Sequence, residues 1–240
     1  VDATEFFNMI SGYSEPTGWN RLTIAPYWLR QRFYDLIDRE IQNAKEGREA
    51  YIWAKMNSLN DEGIIRKLYE ASQAGVKIDL IVRGICCLRP GVPGISETIT
   101  VRSITGRYLE HSRIYVFANN GKEEVYLSSA DWMSRNLDRR VELLFPVEDE
   151  ECKARAKEIM EIQFADTERA NIMASDGTYK KQDRRGKVIL DCQSFQENLA
   201  MERSGNEKTR WKERIFEPIN GLGAHEDYDQ TDASDMLEED

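Results

Sequence analysis

The chain has 240 residues and a mass of 27.8 kDa; 40% of its residues are hydrophobic, 10% aromatic and 32% charged. That length can bury well over half of the unfolded surface in one large domain or two small ones, and the spread of aromatic residues excludes a wholly disordered chain. A net charge of −10 and the lack of any apolar run near the ~20 residues of a membrane span exclude a basic nucleic-acid-coating protein and a transmembrane segment.

The N-terminus, Val1-Asp2-Ala3-Thr4-Glu5, has neither a basic flank nor an apolar core, so no signal peptide is read there. Opening on Val1, residues 1–20 read as a lead-in from a preceding domain of a longer protein. Arg21 to Ile24 predicts a short strand closed at Pro26, which suits the first turn of a helix. Leu29, Phe33, Leu36, Ile37 and Ile41 then recur at helical spacing, predicting a helix to about Lys45 that stops at Gly47. Tyr51 to Lys55 predicts a strand; Ile64, Ile65, Leu68 and Ala71 predict a helix ending near Gly75; Val76 to Val82 is a near-continuous apolar strand. This strand–helix–strand–helix–strand order with short links predicts an α/β domain with a parallel core.

The second half changes character. Ile99 to Ser103, Ser112 to Phe117, Glu124 to Ser128 and Val141 to Val147 predict further strands, with a hairpin turn at Asn119-Asn120-Gly121. A helix over about Glu148 to Ala165 follows, then Asp176-Gly177, a basic patch from Lys180 to Arg185, and a short helix near Gln193 to Arg203. Residues 21–203 therefore read as one domain. Residues 204–240 read as a disordered tail, since His225 to Asp240 holds eight acidic residues and no Lys or Arg. Residues 76–144, by contrast, hold ten Lys or Arg against eight Asp or Glu. A locally cationic centre suits an anionic ligand, and no nucleic-acid partner is expected.

The four cysteines, Cys86, Cys87, Cys152 and Cys192, show no zinc spacing; with no secretory signal, the setting is read as cytoplasmic. Gly84 to Gly94 carries two prolines and no Lys-Ser/Thr pair, which excludes a P-loop. Of the two histidines, His225 lies in the acidic tail. His111 is the candidate for chemistry: read as opening a strand, it shares a face with Arg113 two residues on. Arg83 follows an apolar strand at its C-terminal end, where open α/β sheets hold ligands, and a guanidinium there can grip phosphate oxygens with two prongs. Arg89, Arg102, Arg107 and Arg113 extend a possible cationic cluster; Lys55 and Asn57, at the end of the neighbouring strand, are further candidate contacts. Trp132, Tyr115 and Phe117 read as core.

His111-x-Arg113, followed by Ser129-x-Asp131, resembles the phospholipase-D superfamily, in which a histidine transfers phosphoryl groups. Three positions depart from that pattern. Arg113 stands for the usual Lys, Ala118 for an Asp, and Asp131 for an Asn, which argues against ordinary phosphodiesterase activity. The longer stretches Ala54 to Leu59 (AKMNSL), Gly75 to Gly91 (GVKIDLIVRGICCLRPG), Arg107 to Arg113 (RYLEHSR) and Tyr126 to Arg140 (YLSSADWMSRNLDRR) resemble the second phospholipase-D-like domain, the C-terminal one, of the bacterial polyphosphate kinase family.

That resemblance implies an α/β fold with a phospholipase-D-like mixed sheet flanked by helices. It implies a protein that reversibly transfers the γ-phosphate of ATP to a growing inorganic polyphosphate chain through a phosphohistidine in the preceding domain, outside this sequence. His111 matches the family's assisting histidine and an ATP contact, and Arg83 an ATP-phosphate ligand. Lys55, Asn57, Arg113, Ser129, Asp131 and Asn136 would support the site. Mg²⁺ would accompany ATP or ADP with its ligands mainly outside this segment. The resemblance further implies contact with the remaining domains, a homo-oligomeric full-length enzyme, and a cytoplasmic location that allows membrane association. Two alternatives stay open: a stand-alone nucleotide- or anion-binding module, and a dimeric phospholipase-D-like phosphodiesterase.

Overall fold

The computed structural model describes residues 2–13 and 18–211 of the chain. Among these, nine strands form one sheet: β1 (Thr23–Ala25), β2 (Tyr51–Met56), β3 (Lys77–Val82), β4 (Ile99–Ile104), β5 (Ile114–Phe117), β6 (Glu124–Ser128), β7 (Glu142–Pro146), β8 (Ala170–Met173) and β9 (Tyr179–Lys181). The helices are α1 (Asp2–Ile10), α2 (Leu29–Lys45), α3 (Glu62–Gln73), α4 (Ser134–Asp138), α5 (Glu150–Phe164) and α6 (Cys192–Trp211). Val1–Leu199 form one compact unit that contains the whole sheet; Ala200–Asp240 fall in a second, of which the described part is the end of α6. The acidic run from His225 to Asp240 lies outside the described residues.

The strand order is β1-β7-β6-β5-β2-β3-β4-β8-β9. Only β2, β3 and β4 run parallel, Trp53 facing Asp79 and Asp79 facing Thr100; every other pairing is antiparallel. The sheet is mixed and flanked by helices, as expected. Period-2 alternation builds a core on each face. Ile78, Leu80, Val82, Tyr115 and Phe117 pack with Leu29, Phe33 and Leu36 of α2 and Ile64 and Leu68 of α3. Ile81, Ile114 and Val116 point the other way, onto Ala156 and Met160 of α5 and Cys192 of α6. Trp132 is fully buried against Phe33 and Tyr115, so it is core as read from the sequence. Asp61 and Asp149 cap α3 and α5 by accepting from the backbone N–H groups of Ile64 and Cys152.

Three local expectations are corrected. Pro26 follows a cis peptide bond and stands in the turn ahead of α2, which begins at Leu29. The strand expected to open at His111 begins at Ile114, because Ile114 is the first residue whose backbone pairs with both β2 and β6. The last helix runs past Arg203 to Trp211. The hairpin at Asn119-Asn120-Gly121 is present, with all three residues at positive φ (45°, 54° and 79°). Four elements were not foreseen: α1, α4, β8 and β9.

Candidate functional site

The parallel core ends at Met56, Val82 and Ile104, and residues just beyond those ends meet residues that enter β5 and leave β6. Strand direction explains the convergence: an antiparallel strand begins where its parallel neighbour ends. Asn57 and Arg83 thus share one end of the sheet with His111, Arg113, Ser129 and Asp131.

One continuous set of hydrogen bonds joins five of these residues. Nε of Arg83 donates to Oδ1 of Asn57 at 2.9 Å, and its Nη2 donates to the same oxygen. The backbone N–H of Asn57 donates to Oδ1 of Asp131 at 2.8 Å. Asp131 receives Nε and Nη2 of Arg113 at 3.0 and 3.3 Å, and Nη1 of Arg113 lies 2.7 Å from Nδ1 of His111. Arginine has only donors, so Nδ1 of His111 must accept, and the ring's own N–H sits on the exposed side at Nε2. His111 is thereby set up as a hydrogen-bond or proton donor toward whatever meets the sheet end. Nη1 of Arg83 is buried and has no hydrogen-bond partner among the described residues, so one nitrogen of this guanidinium is unsatisfied within the fold. Gly84 follows at once, and a Cβ there would come 3.0 Å from the Asn57 carbonyl, so the turn after β3 is held tight against Asn57.

The other expected residues have defined places. Asp131 is 3% exposed and its N–H donates to Oδ1 of the buried Asn136 at 2.9 Å, so Asn136 fixes the loop that presents Asp131. Ser129 Oγ donates to the carboxylate of Glu142 and accepts from the N–H of Leu143, tying the end of β6 to the start of β7. Lys55 faces inward: its ammonium is buried and bonded to Glu110 at 2.7 Å, so its charge is matched inside the fold. Burial alone would push the Glu110 carboxyl up, but Lys55 and the amides of Gln193 and Gln163 hold it below the usual carboxylate range.

The cationic cluster expected from the sequence disperses. Arg89 donates to the backbone carbonyl of Asp176, Arg102 lies half-buried over the Phe164 ring, and Arg107 stacks on Tyr108 near Glu197. Only Arg83 and Arg113 join the bonded set. Glu110, Glu142 and Gln193 were not foreseen. Glu110 and Glu142 lay within or next to stretches already singled out, while Gln193 carries no local signal.

Fold and site define an α/β domain that presents an arginine–histidine pair, suited to a phosphorylated ligand, at the C-terminal end of its parallel strands. The chain belongs to the polyphosphate kinase C-terminal domain 2 family, whose pattern covers residues 22–193. It is 53% identical over 193 residues to a polyphosphate kinase of Bacillus anthracis, and 55% identical over 194 residues to that of Lactiplantibacillus plantarum. These alignments cover 80% and 81% of this chain but only 28% and 27% of those proteins. The crystal structure of polyphosphate kinase from Porphyromonas gingivalis superimposes with a TM-score of 0.80 at 41% identity, over 87% of this chain and 32% of that one. The chain thus spans between a quarter and a third of the relatives it matches.

Proposed function

We propose that this domain supplies one half of the active site of a polyphosphate kinase, in which the γ-phosphate of ATP passes reversibly to the end of a polyphosphate chain by way of a phosphohistidine on the preceding domain. Arg83 binds the phosphates of ATP, and His111 lies against the transferring group, where its Nε2–H stabilises or protonates an oxygen. Arg113 is the third member: it accepts nothing, holds the His111 ring, and adds positive charge beside it. The observation that carries this reading is the unbroken bonding from Arg83 through Asn57, Asp131 and Arg113 to His111. Phosphoryl transfer relies on positioning and charge stabilisation more than on covalent chemistry by side chains, and a pre-bonded set of this kind provides both.

Mg²⁺ would arrive with the nucleotide. The carboxylates nearest the site do not form a seat for it: Asp131 is bonded to Arg113, Glu110 to Lys55 and Glu142 to Ser129, and no three His, Cys, Asp or Glu side chains gather among the described residues. No step is assigned to the metal in this domain. The full-length enzyme is read as a cytoplasmic homo-oligomer; among the described residues no helix is long and apolar enough to cross a membrane. The test is formation of acid-stable polymer from labelled ATP and Mg²⁺ by a full-length enzyme bearing this segment. No polymer, with a folded protein, would overturn the reading.

A further inference from the structure

His111 sits in an irregular segment, Thr105 to Arg113, that links β4 to β5. A stretch of this kind is costly to order unless other elements hold it. Arg113 fixes the imidazole from the C-terminal side. From the N-terminal side the holding group is Gln193, the second residue of α6 and 6% exposed. Its Oε1 accepts from the N–H of Tyr108 at 2.9 Å, and its Nε2 donates to the carbonyl of Tyr108 at 2.9 Å. One side-chain amide therefore satisfies both backbone groups of Tyr108, as a neighbouring strand would. The same Nε2 lies 2.9 Å from Oε1 of Glu110, whose other oxygen receives Lys55 and Gln163.

The clamp is built into the fold on both sides. The start of α6 is pinned by the fully buried Asp166, whose carboxylate accepts the N–H of Cys192 at 2.8 Å and that of Ala170 at 2.8 Å. On the loop side, Gly106 leaves the space Gln193 needs: a Cβ there would fall 2.2 Å from Gln193 Oε1. With the Glu110 carboxylate drawn into the fold, the next residue, His111, is left exposed.

We infer that Gln193 is a positioning residue for His111, acting through Tyr108 and Glu110 to fix where the imidazole meets the transferring phosphate. The kinetic part of this inference rests on the function proposed above; the structural part does not. A displacement of about 1 Å in a reacting group can cost on the order of 10²-fold in rate, so a loosened clamp should act on turnover more than on nucleotide binding.

Gln193→Ala removes the clamp without stranding a buried charge, and Gly106→Ala displaces it by steric conflict. In a full-length enzyme, each should lower kcat about tenfold with the KM for ATP within twofold. The double variant should be no worse than the more impaired single, because both disrupt one contact. Adding Gln193→Ala to His111→Ala should cost nothing more. A second readout uses this chain with ¹⁵N-labelled histidine, the His111 signals being identified by their loss in His111→Ala. Unchanged protein should give separated Nδ1 and Nε2 shifts, as the Nε2–H tautomer requires, and Gln193→Ala should draw them together. Unmoved His111 shifts in Gln193→Ala overturn the inference, whatever happens to turnover; so does a kcat within twofold of the parent where His111→Ala itself lowers turnover. If His111→Ala itself leaves turnover intact while the shifts still move, the proposed function fails and the positioning stands.

Discussion

Arg113 and Asp131 are matched to each other: two guanidinium nitrogens meet the two carboxylate oxygens at 3.0 and 3.3 Å, with side chains 15% and 4% exposed. The sequence departs from the phospholipase-D pattern at both positions, Arg for Lys and Asp for Asn. In the structure the two positions face each other, and the two-pronged donor is matched by a two-oxygen acceptor. The pair fixes Arg113, and Arg113 fixes His111.

Asp131→Asn should therefore be costly, because it leaves the Arg113 charge without its partner in a mostly buried setting. Breaking such a pair typically costs about 3–5 kcal/mol, which for a domain of this size is a melting temperature lower by roughly 10 °C. Arg113→Gln combined with Asp131→Asn removes both charges and should melt closer to the parent than Asp131→Asn alone. Thermal melts of the parent and the two variants measure this; a double variant that melts lower than Asp131→Asn would show the two residues to be uncoupled.

His111 tests the site directly. It is exposed, and among the described residues its ring's one hydrogen bond is to Arg113, so His111→Ala should leave the melting temperature nearly unchanged. As a proton donor or transition-state partner it should contribute ~10²-fold or more to turnover in a full-length enzyme. Activity surviving within about threefold would make His111 a surface residue without a role in the chemistry.

What was legible in the sequence follows from where the signal is local. β2, β3 and β5 bury alternate or continuous apolar residues, and their hydrophobic pattern is enough to place them. β9 is Tyr179-Lys180-Lys181, exposed throughout, and exists because β8 pairs with it; no hydrophobic pattern announces it. α4 is five residues long, too short to show a helical period. The site divides the same way. His111 and Arg113 stand two apart and were read as neighbours on a strand; they are neighbours, but because the Arg113 side chain folds back toward the His111 ring. Arg83 was legible because it ends an apolar strand. The bond between Glu110 and Gln193 spans 83 residues, and nothing near either one reports the other.

The isolated chain should fold but make no polymer. Its cores on both sheet faces are complete within residues 1–199, whereas the phospho-accepting histidine of the proposed mechanism lies outside the sequence. Incubated with labelled ATP and Mg²⁺, it should yield neither acid-stable polymer nor acid-labile phosphohistidine. Stoichiometric phosphorylation of His111 would contradict this and favour the phosphodiesterase-like alternative.

Arg83 and Arg102 should respond differently to the same substitution. Arg83→Lys keeps the charge but loses the planar fork that grips Asn57, so in a full-length enzyme the ATP requirement should rise about tenfold or more. Arg102 is half-buried against Phe164 and bonds its carbonyl, so Arg102→Lys should lower the melting temperature and leave the ATP requirement within about twofold. ATP titrations and melts of both variants separate the cases; equal, small effects on ATP would mean that diffuse charge holds the phosphates.

The Lys55–Glu110 pair makes a prediction about pH. Glu110 carries a folded-state pKa below its ordinary value of 4.5, because Lys55 and two amides outweigh the effect of burial. A carboxyl depressed on folding stabilises the fold wherever it is ionised in both states, and that contribution fades as pH falls from the unfolded pKa through the lower folded one. The pair's full contribution is therefore present above about pH 5 and declines in more acidic solution. Glu110→Gln removes the carboxylate and leaves the buried Lys55 charge without its ion-pair partner. It should melt well below the parent at pH 7, and the gap between the two should narrow as the pH is lowered from 5 toward 3. Melts of both proteins at matched ionic strength across that range measure the gap. A gap that stays constant with pH would mean that the Glu110 carboxylate titrates alike in the folded and unfolded chains, and that Lys55 does not hold it.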